Sequence, residues 1–261
     1  MIPKTIHYCW FGGNPKSKLI EKCIKSWKKY CPDYEIIEWN ETNFDINCCD
    51  YVKEAYEAKK WAFVSDFARL KIIYDNGGIY LDTDVELIGS LERFLEYDGY
   101  FGFEDSEHIN TGLGFGAIKN NPVLEVMMND YFHINFFQSD GTYNITPCPQ
   151  TNTLSLEKIG LKRNNTFQII DNNAFFPSDF FNPINYQTMK KKVTKNTVSI
   201  HWFNASWYTK EDIEKKKYRI KRTRYYKRKA IINRIIYSPI ILTKKILGEA
   251  LYNKIKSKIK R

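Results

Sequence analysis

The sequence predicts an α/β fold. Three observations carry this: a strand–helix–strand opening, an apolar helix that stops at Gly77-Gly78 and runs into a short strand, and further strand-like apolar runs up to residue 202. Thr5-Ile6-His7-Tyr8-Cys9-Trp10-Phe11 is rich in β-formers and is stopped by the turn signal Gly12-Gly13-Asn14-Pro15. Leu19, Ile20, Cys23, Ile24 and Trp27 then recur at helical spacing, Pro32-Asp33 ends that helix, and Tyr34-Glu35-Ile36-Ile37-Glu38-Trp39 resumes a strand. Such a β-α-β start makes a parallel pair with a right-handed crossover and leaves Trp10 to Gly13 at the carboxyl end of the first strand, where open α/β sheets bind ligands. Residues 51–74 read as one helix with Ala62, Phe63, Phe67, Leu70, Ile73 and Tyr74 on its apolar face. Ile79-Tyr80-Leu81 is a short strand running into Asp82-Thr83-Asp84. Tyr100 to Phe103, Leu113 to Ala117 and Thr197 to Trp202 read as strands, and 122–132 as a helix. The stretches 136–150 and 171–187 read as loops over a site.

Composition narrows the class. With 261 residues, 43% hydrophobic and 16% aromatic, the chain is neither disordered nor fibrous, and it can bury a core without staples. No run approaches the roughly 18 residues of a membrane span, and the first residues contain no apolar signal core, so a cytoplasmic start is expected. None of Cys9, Cys23, Cys31, Cys48, Cys49 and Cys148 forms a CxxC pair, and reduced thiols are expected. Charge is uneven: residues 209–261 hold 19 Lys+Arg against 4 Asp+Glu, a net +15, while 1–208 hold 21 against 26, a net −5. The sequence thus divides into a mildly acidic body, 1–208, and a basic helical tail, 209–261.

Four stretches carry chemistry. In Asp82-Thr83-Asp84, two carboxylates leaving a buried strand at i and i+2 both reach one hard cation where the chain turns, and oxygen ligands favour Mg²⁺ or Mn²⁺. Asp66 and Arg69 are i, i+3 neighbours on a mostly apolar helix, placed to meet sugar hydroxyls in a cleft. His201 ends a strand and can complete a metal site or meet a phosphate, and Ser206 and Trp207 offer donors to phosphate oxygens. Trp10 offers a face to a nucleobase. Glu104 and Asp105 follow a strand and read either as acceptor-positioning groups or as solvated loop acids.

In this order, Ile2-Pro3-Lys4-Thr5-Ile6-His7 with Trp10-Phe11-Gly12, Ser65-Asp66-Phe67-Ala68-Arg69, Gly77-Gly78-Ile79-Tyr80-Leu81-Asp82-Thr83-Asp84, and His201 through Ser206-Trp207 resemble the glycosyltransferases of family 32. That group holds yeast outer-chain mannosyltransferases and many bacterial capsular polysaccharide enzymes. The stretches resemble more distantly the glucosyltransferase domain of large clostridial toxins. The resemblance spans residues 1–208. It implies a GT-A fold, a Rossmann-like α/β sheet with one nucleotide-sugar site, and a transfer that retains anomeric configuration. By position, it implies that Trp10 stacks on the donor's base, that Asp66 and Arg69 grip the donor sugar beside Tyr80, and that Asp82 lies near ribose and metal. Asp84 would be the direct metal ligand, His201 a further ligand, and Ser206 and Trp207 the element closing on the diphosphate.

The expected reaction moves a hexose from a nucleoside-diphosphate sugar, UDP-hexose ahead of GDP-mannose, to a glycan or lipid-linked acceptor in capsular or surface polysaccharide synthesis. An Asn-, Lys- and Ile-heavy composition points to a bacterial source. The tail, with Lys215-Lys216-Lys217-Tyr218-Arg219-Ile220-Lys221-Arg222 and short aliphatic runs, is expected to hold the enzyme at the anionic inner face of the cell membrane, with packing on protein as the alternative. A nucleic-acid-binding protein is the competing class suggested by the tail. An acidic body with carboxylates gathered at one place fits that class poorly.

Overall fold

In this computed structural model, residues 1–186 and 188–204 are described, together with short stretches between 214 and 251. The chain divides into two compact units, Met1–Asn185 with Lys190–Trp207, and Tyr186–Met189 with Tyr208–Arg261. In the second, the described residues 228–233 are helical. The expectations for Ser206 and Trp207, and most of those for the tail, lie outside the described residues. No helix among the described residues is long and apolar enough to cross a membrane.

The first unit is a mixed α/β domain, as the periodicity predicts. Strand β1 (Thr5–Cys9) pairs in parallel with β2 (Glu35–Trp39), and helix α1 (Lys18–Tyr30) connects them. Ser17 caps α1 by accepting from the Ile20 amide, and Trp27 is fully buried, its Nε1 donating to the Val85 carbonyl at 2.7 Å. Next come α2 (Asp50–Glu57), α3 (Trp61–Asn76), β3 (Gly78–Tyr80), β4 (Val85–Leu87), β5 (Gly99–Gly102) and β6 (Phe115–Ala117). They are followed by α4 (Pro122–Tyr131), α5 (Cys148–Glu157), β7 (Gln168–Ile170), β8 (Asn173–Phe176), β9 (Ile184–Asn185), β10 (Lys190–Lys191) and β11 (Ser199–His201). The seven-stranded central sheet runs β2-β1-β3-β6-β5-β8-β7; β1–β2, β1–β3 and β5–β8 are parallel, and the remaining pairs are antiparallel.

Side chains of β1 alternate between two cores. Cys9 and Phe11 join the aromatic cluster built around α2, α3 and α4, whereas Ile6 and Tyr8 join the cluster around Trp27 of α1. The Gly77-Gly78 break is a packing requirement as well as a helix stop. Gly77 has φ 71° and ends α3, and at Gly78, φ 103°, a Cβ would lie 2.8 Å from the Thr5 carbonyl. Only glycine lets β3 close on β1 here.

Three expectations are corrected. Residues 51–74 form two helices, because Lys59 takes a left-handed φ of 57° and the chain turns before α3 starts at Trp61. The stretch 171–187 is not a loop: Asn173–Phe176 is a buried strand of the central sheet, and Asn173 satisfies its own polar side chain against Asn121. The stretch 136–150 is irregular only as far as Pro147, and α5 starts at Cys148. All six cysteines are free.

His7 supplies a pH-sensitive element of the core. Its Nδ1 accepts from Trp39 Nε1 at 3.0 Å and its Nε2 faces the Gly77 carbonyl at 3.1 Å, a pairing that suits the neutral ring protonated on Nε2. Burial pushes its pKa down to about 4 despite that carbonyl. Between about pH 6.5 and 4 the unfolded chain therefore takes up a proton that the folded chain refuses. This contribution to stability is complete above pH 6.5 and is lost as pH falls toward 4, by about 3 kcal/mol. Urea unfolding across this window is expected to show that loss, with a flatter profile for His7→Gln.

Candidate active site

The site is built where β3 leaves the sheet. Leu81 still donates its amide to the His7 carbonyl, and then the Val85 amide closes a turn on the Asp82 carbonyl at 2.9 Å. Asp82 and Asp84, at i and i+2, fall on the same side of this turn. Strand β11 pairs antiparallel with β4, with His201 opposite Val85, which brings the histidine to the carboxylates from more than a hundred residues away. The ligating atoms of Asp82, Asp84 and His201 lie within 4.8 Å of one another.

Each carboxylate has its own partners. His201 Nε2 lies 3.1 Å from Asp84 Oδ1, and the Asn204 amide donates to Asp84 Oδ2 at 2.7 Å. Burial alone would raise the Asp84 pKa, but the imidazolium and that amide outweigh it and hold the carboxyl below its ordinary value. Burial likewise opposes the charge on His201, and Asp84 overcomes it, so the His201 pKa is raised. Asp82 is bound differently. Arg69 Nη2 reaches its Oδ1 at 3.1 Å and the Tyr80 hydroxyl donates to the same oxygen at 2.9 Å. Even so, burial and the neighbouring Asp84 charge leave its pKa raised.

Arg69, 3% exposed, joins this turn to α3. Its Nη1 meets Asp66 Oδ1 at 2.9 Å and the Cys148 sulfur at 3.3 Å, and its Nη2 also reaches Ser65 Oγ at 3.3 Å. Burial holds Asp66 at a pKa of about 6 against the pull of Arg69. The pair is therefore no surface ion pair; it lies in the wall of the site, as the apolar character of the helix suggested.

The donor set of two carboxylates and an imidazole fits a divalent cation with mixed oxygen and nitrogen preference, Mn²⁺ better than Mg²⁺. Buried His201 Nδ1 has no hydrogen-bond partner among the described residues, whereas Nε2 faces Asp84 Oδ1. When bound, such an ion would be held by Asp82, Asp84 and His201 and would neutralise charge on a leaving diphosphate.

Trp10 stands at the end of β1 with its Nε1 donating to the Asn14 carbonyl at 2.7 Å and the Lys16 ammonium 5.4 Å from its ring. Of the two loop acids, Asp105 is exposed and accepts from the amides of Glu107 and His108, which makes it a turn-forming group. Glu104 is half-buried, accepts from Asn110 Nδ2 at 3.0 Å and has its pKa raised by burial.

Sequence reasoning missed Asn110, Gly112 and Cys148. Asn110 caps a short turn by accepting from the Gly112 amide at 2.6 Å, and a Cβ on Gly112 would stand 2.5 Å from Asp82 Oδ2. Asn110-Thr111-Gly112 could have been found as an Asx turn between two strands. Cys148 had no local signal, being placed by the start of α5.

Residues 17–100 match the glycosyltransferase sugar-binding region containing DXD motif. This chain carries a glycosyltransferase domain. It is similar to an uncharacterized glycosyltransferase of Acanthamoeba polyphaga mimivirus, 28% identical over 199 residues, covering 71% of this chain and 77% of the viral one. It is also similar to inositol phosphoceramide mannosyltransferase 3 of Schizosaccharomyces pombe, 28% identical over 141 residues, which are 49% of this chain and 37% of the yeast protein. Among solved structures, a galactosyltransferase in complex with donor and acceptor sugar analogs overlaps 83% of this chain and 95% of its own, with 15% identity and a TM-score of 0.43. The β-α-β opening followed by a DXD turn sets the sugar-binding region in a mixed α/β domain.

Proposed function

We propose that this glycosyltransferase moves a hexose from a nucleoside-diphosphate sugar, UDP-hexose first, to a glycan or lipid-linked acceptor, with Mn²⁺ or Mg²⁺ at Asp82, Asp84 and His201 and with retention of anomeric configuration. The observation that carries the reading is the junction of two networks at Asp82: the Asp84–His201 cluster on one side and the buried Asp66–Arg69 pair on the other. A bound divalent ion supplies charge neutralisation for the departing diphosphate. Asp84 and His201 hold that corner in place, since each is fixed by the other and Asp84 also by the Asn204 amide. Arg69 and Tyr80 both donate to Asp82 Oδ1 and so orient its carboxylate. Asp66, next to Arg69, is the group for a sugar hydroxyl, because it both accepts and, protonated near pH 6, donates. Ser206 and Trp207 follow as donors to the diphosphate. No residue is asked to be a nucleophile; the leaving diphosphate takes the acceptor's proton as the C1–O bond to it breaks.

The surroundings we propose are bacterial surface-polysaccharide synthesis at the inner face of the cell membrane. The +15 charge of residues 209–261 supports contact with anionic headgroups, each nearby Lys or Arg adding about 1 kcal/mol. The test is release of nucleoside diphosphate from UDP-glucose, UDP-galactose and GDP-mannose, with Mn²⁺ or with chelator, for the full chain and for a chain ending at Tyr208. Metal-dependent release from one donor by both chains is expected, with only the full chain sedimenting on anionic vesicles at low salt. Release from none of the donors by the full chain contradicts the transfer reading. A full chain that ignores such vesicles contradicts the membrane reading.

A further inference from the structure

We propose that Trp202 and Glu86 are positioning residues of the cation site: together they pin the end of β11, so that His201 and the Asn204 amide both meet Asp84. The proposal rests on the metal reading above and adds what holds the cluster in register.

Three observations converge. The first is that the strands carrying the cluster stand apart. β4 and β11 form a sheet of their own, three residues on each strand, outside the seven-stranded one. A two-stranded pair is marginal by itself in water, so other contacts must fix it. The last residue of β11 is His201 itself, and element ends are where structure opens first.

The second is where the support comes from. Helix α1 reaches β4 at each of its three residues. Trp27 Nε1 donates to the Val85 carbonyl at 2.7 Å, the Leu87 amide donates to Ser26 Oγ at 2.9 Å, and the Lys22 ammonium meets Glu86 Oε2 at 2.8 Å. Lys22 and Ser26 are i, i+4 neighbours on one face of α1. β4 is thus fixed from α1, and the Glu86 side chain, 16% exposed, carries that support onward.

The third is the link from Glu86 to β11. Trp202 Nε1 donates at 2.9 Å to Glu86 Oε2, the same oxygen that Lys22 holds. The ring lies 5.4 Å from the Lys22 ammonium and 5.5 Å from that of Lys191, both within cation–π reach. The Trp202 amide donates to the Asp84 carbonyl at 3.1 Å. His201 before it and Asn204 after it supply the two contacts to the Asp84 carboxylate. Between them Phe203 takes a left-handed φ of 51°, costly for a bulky residue, as the chain turns back toward Asp84. An anchored Trp202 fixes where that strained turn begins.

Mn²⁺ titrated into the full chain, alone and with UDP or GDP, and read by the electron paramagnetic resonance of the free ion, tests the assignment. Trp202→Phe keeps a ring and loses the N–H donor. Glu86→Leu loses the acceptor, and Lys22, 58% exposed, stays solvated without it. Each is expected to weaken Mn²⁺ about tenfold, the lower end of what losing an outer partner of a metal site costs. The double variant should bind as each single one does, because both cut the same link. Glu86→Gln keeps an acceptor for the indole and should stay within a few-fold of the wild type. A merely structural role would lower the urea midpoint and leave the Mn²⁺ affinity of the folded chain unchanged. That result in both Trp202→Phe and Glu86→Leu overturns the proposal. So do losses that multiply in the double variant, or a Glu86→Gln chain that binds as weakly as Glu86→Leu. A wild type that binds no Mn²⁺ under any of these conditions overturns the metal reading itself.

Discussion

Asp84→Asn is expected to reduce donor hydrolysis by about a thousandfold or more, since a divalent ion at a diphosphate contributes several kcal/mol and each 1.36 kcal/mol is a factor of ten in rate. The substitution keeps the shape of the side chain and an acceptor for the Asn204 amide, so the turn between β3 and β4 survives. What it removes is the charge that His201 faces at 3.1 Å and one of two carboxylates in the cluster. Asp84 is also the member whose pKa is held low, so at neutral pH it is the carboxylate most fully ionised for a cation. Activity assayed across Mn²⁺ concentrations checks this. Near-wild-type hydrolysis by Asp84→Asn would remove the metal from the account.

Arg69→Met is expected to have the largest effect on the fold itself. Arg69 lies between Asp66 and Asp82, whose side chains are 11% and 23% exposed, and it is the cation in contact with both. Removing one partner from a buried ionic network leaves the others uncompensated, which costs about 3–5 kcal/mol. Urea unfolding should show that loss at pH 7, and the loss should shrink toward pH 5, where Asp66, with its pKa near 6, takes up a proton. Arg69→Lys should recover only part of it, because an ammonium cannot span two carboxylates, Ser65 and Cys148 as the planar guanidinium does. Asp66→Asn should be much milder on stability, since burial already disfavours the charge it removes, yet it should still impair use of the donor sugar. Equal stability of Arg69→Met and the wild type would mean that the network is not structural.

Much of the first 120 residues was legible because local signals agree there with the tertiary result. The alternating β1, the capped and amphipathic α1 and the Gly77-Gly78 stop all act within a few residues of themselves. The break between α2 and α3 was not legible, because Lys59 takes the left-handed position of a local helix cap, with the Lys59 amide donating to the Tyr56 carbonyl and the Lys60 amide to the Ala55 carbonyl, without the glycine that usually marks one. Strand β8 was hidden for a similar reason: Asn173 looks like a loop residue until Asn121 and the β5 edge receive it. At the site, Asp82 and Asp84 could be paired from spacing alone, and so could Asp66 with Arg69. That the two pairs share one guanidinium, and that His201 arrives by pairing of β11 with β4, are facts of long-range topology. Gly112 belongs to the same class, since its lack of a side chain matters only because Asp82 Oδ2 lies against it.

The central claim is that the β3–β4 turn and the end of β11 together hold the catalytic cation. Anomalous diffraction from crystals grown with Mn²⁺ and a nucleoside diphosphate tests it most directly. The account predicts one strong peak within coordination distance of the Asp82 and Asp84 carboxylates and a His201 ring nitrogen, absent from Asp84→Asn crystals grown in the same way. A peak elsewhere, or no peak in a crystal whose enzyme hydrolyses a nucleotide sugar in chelator, would contradict it.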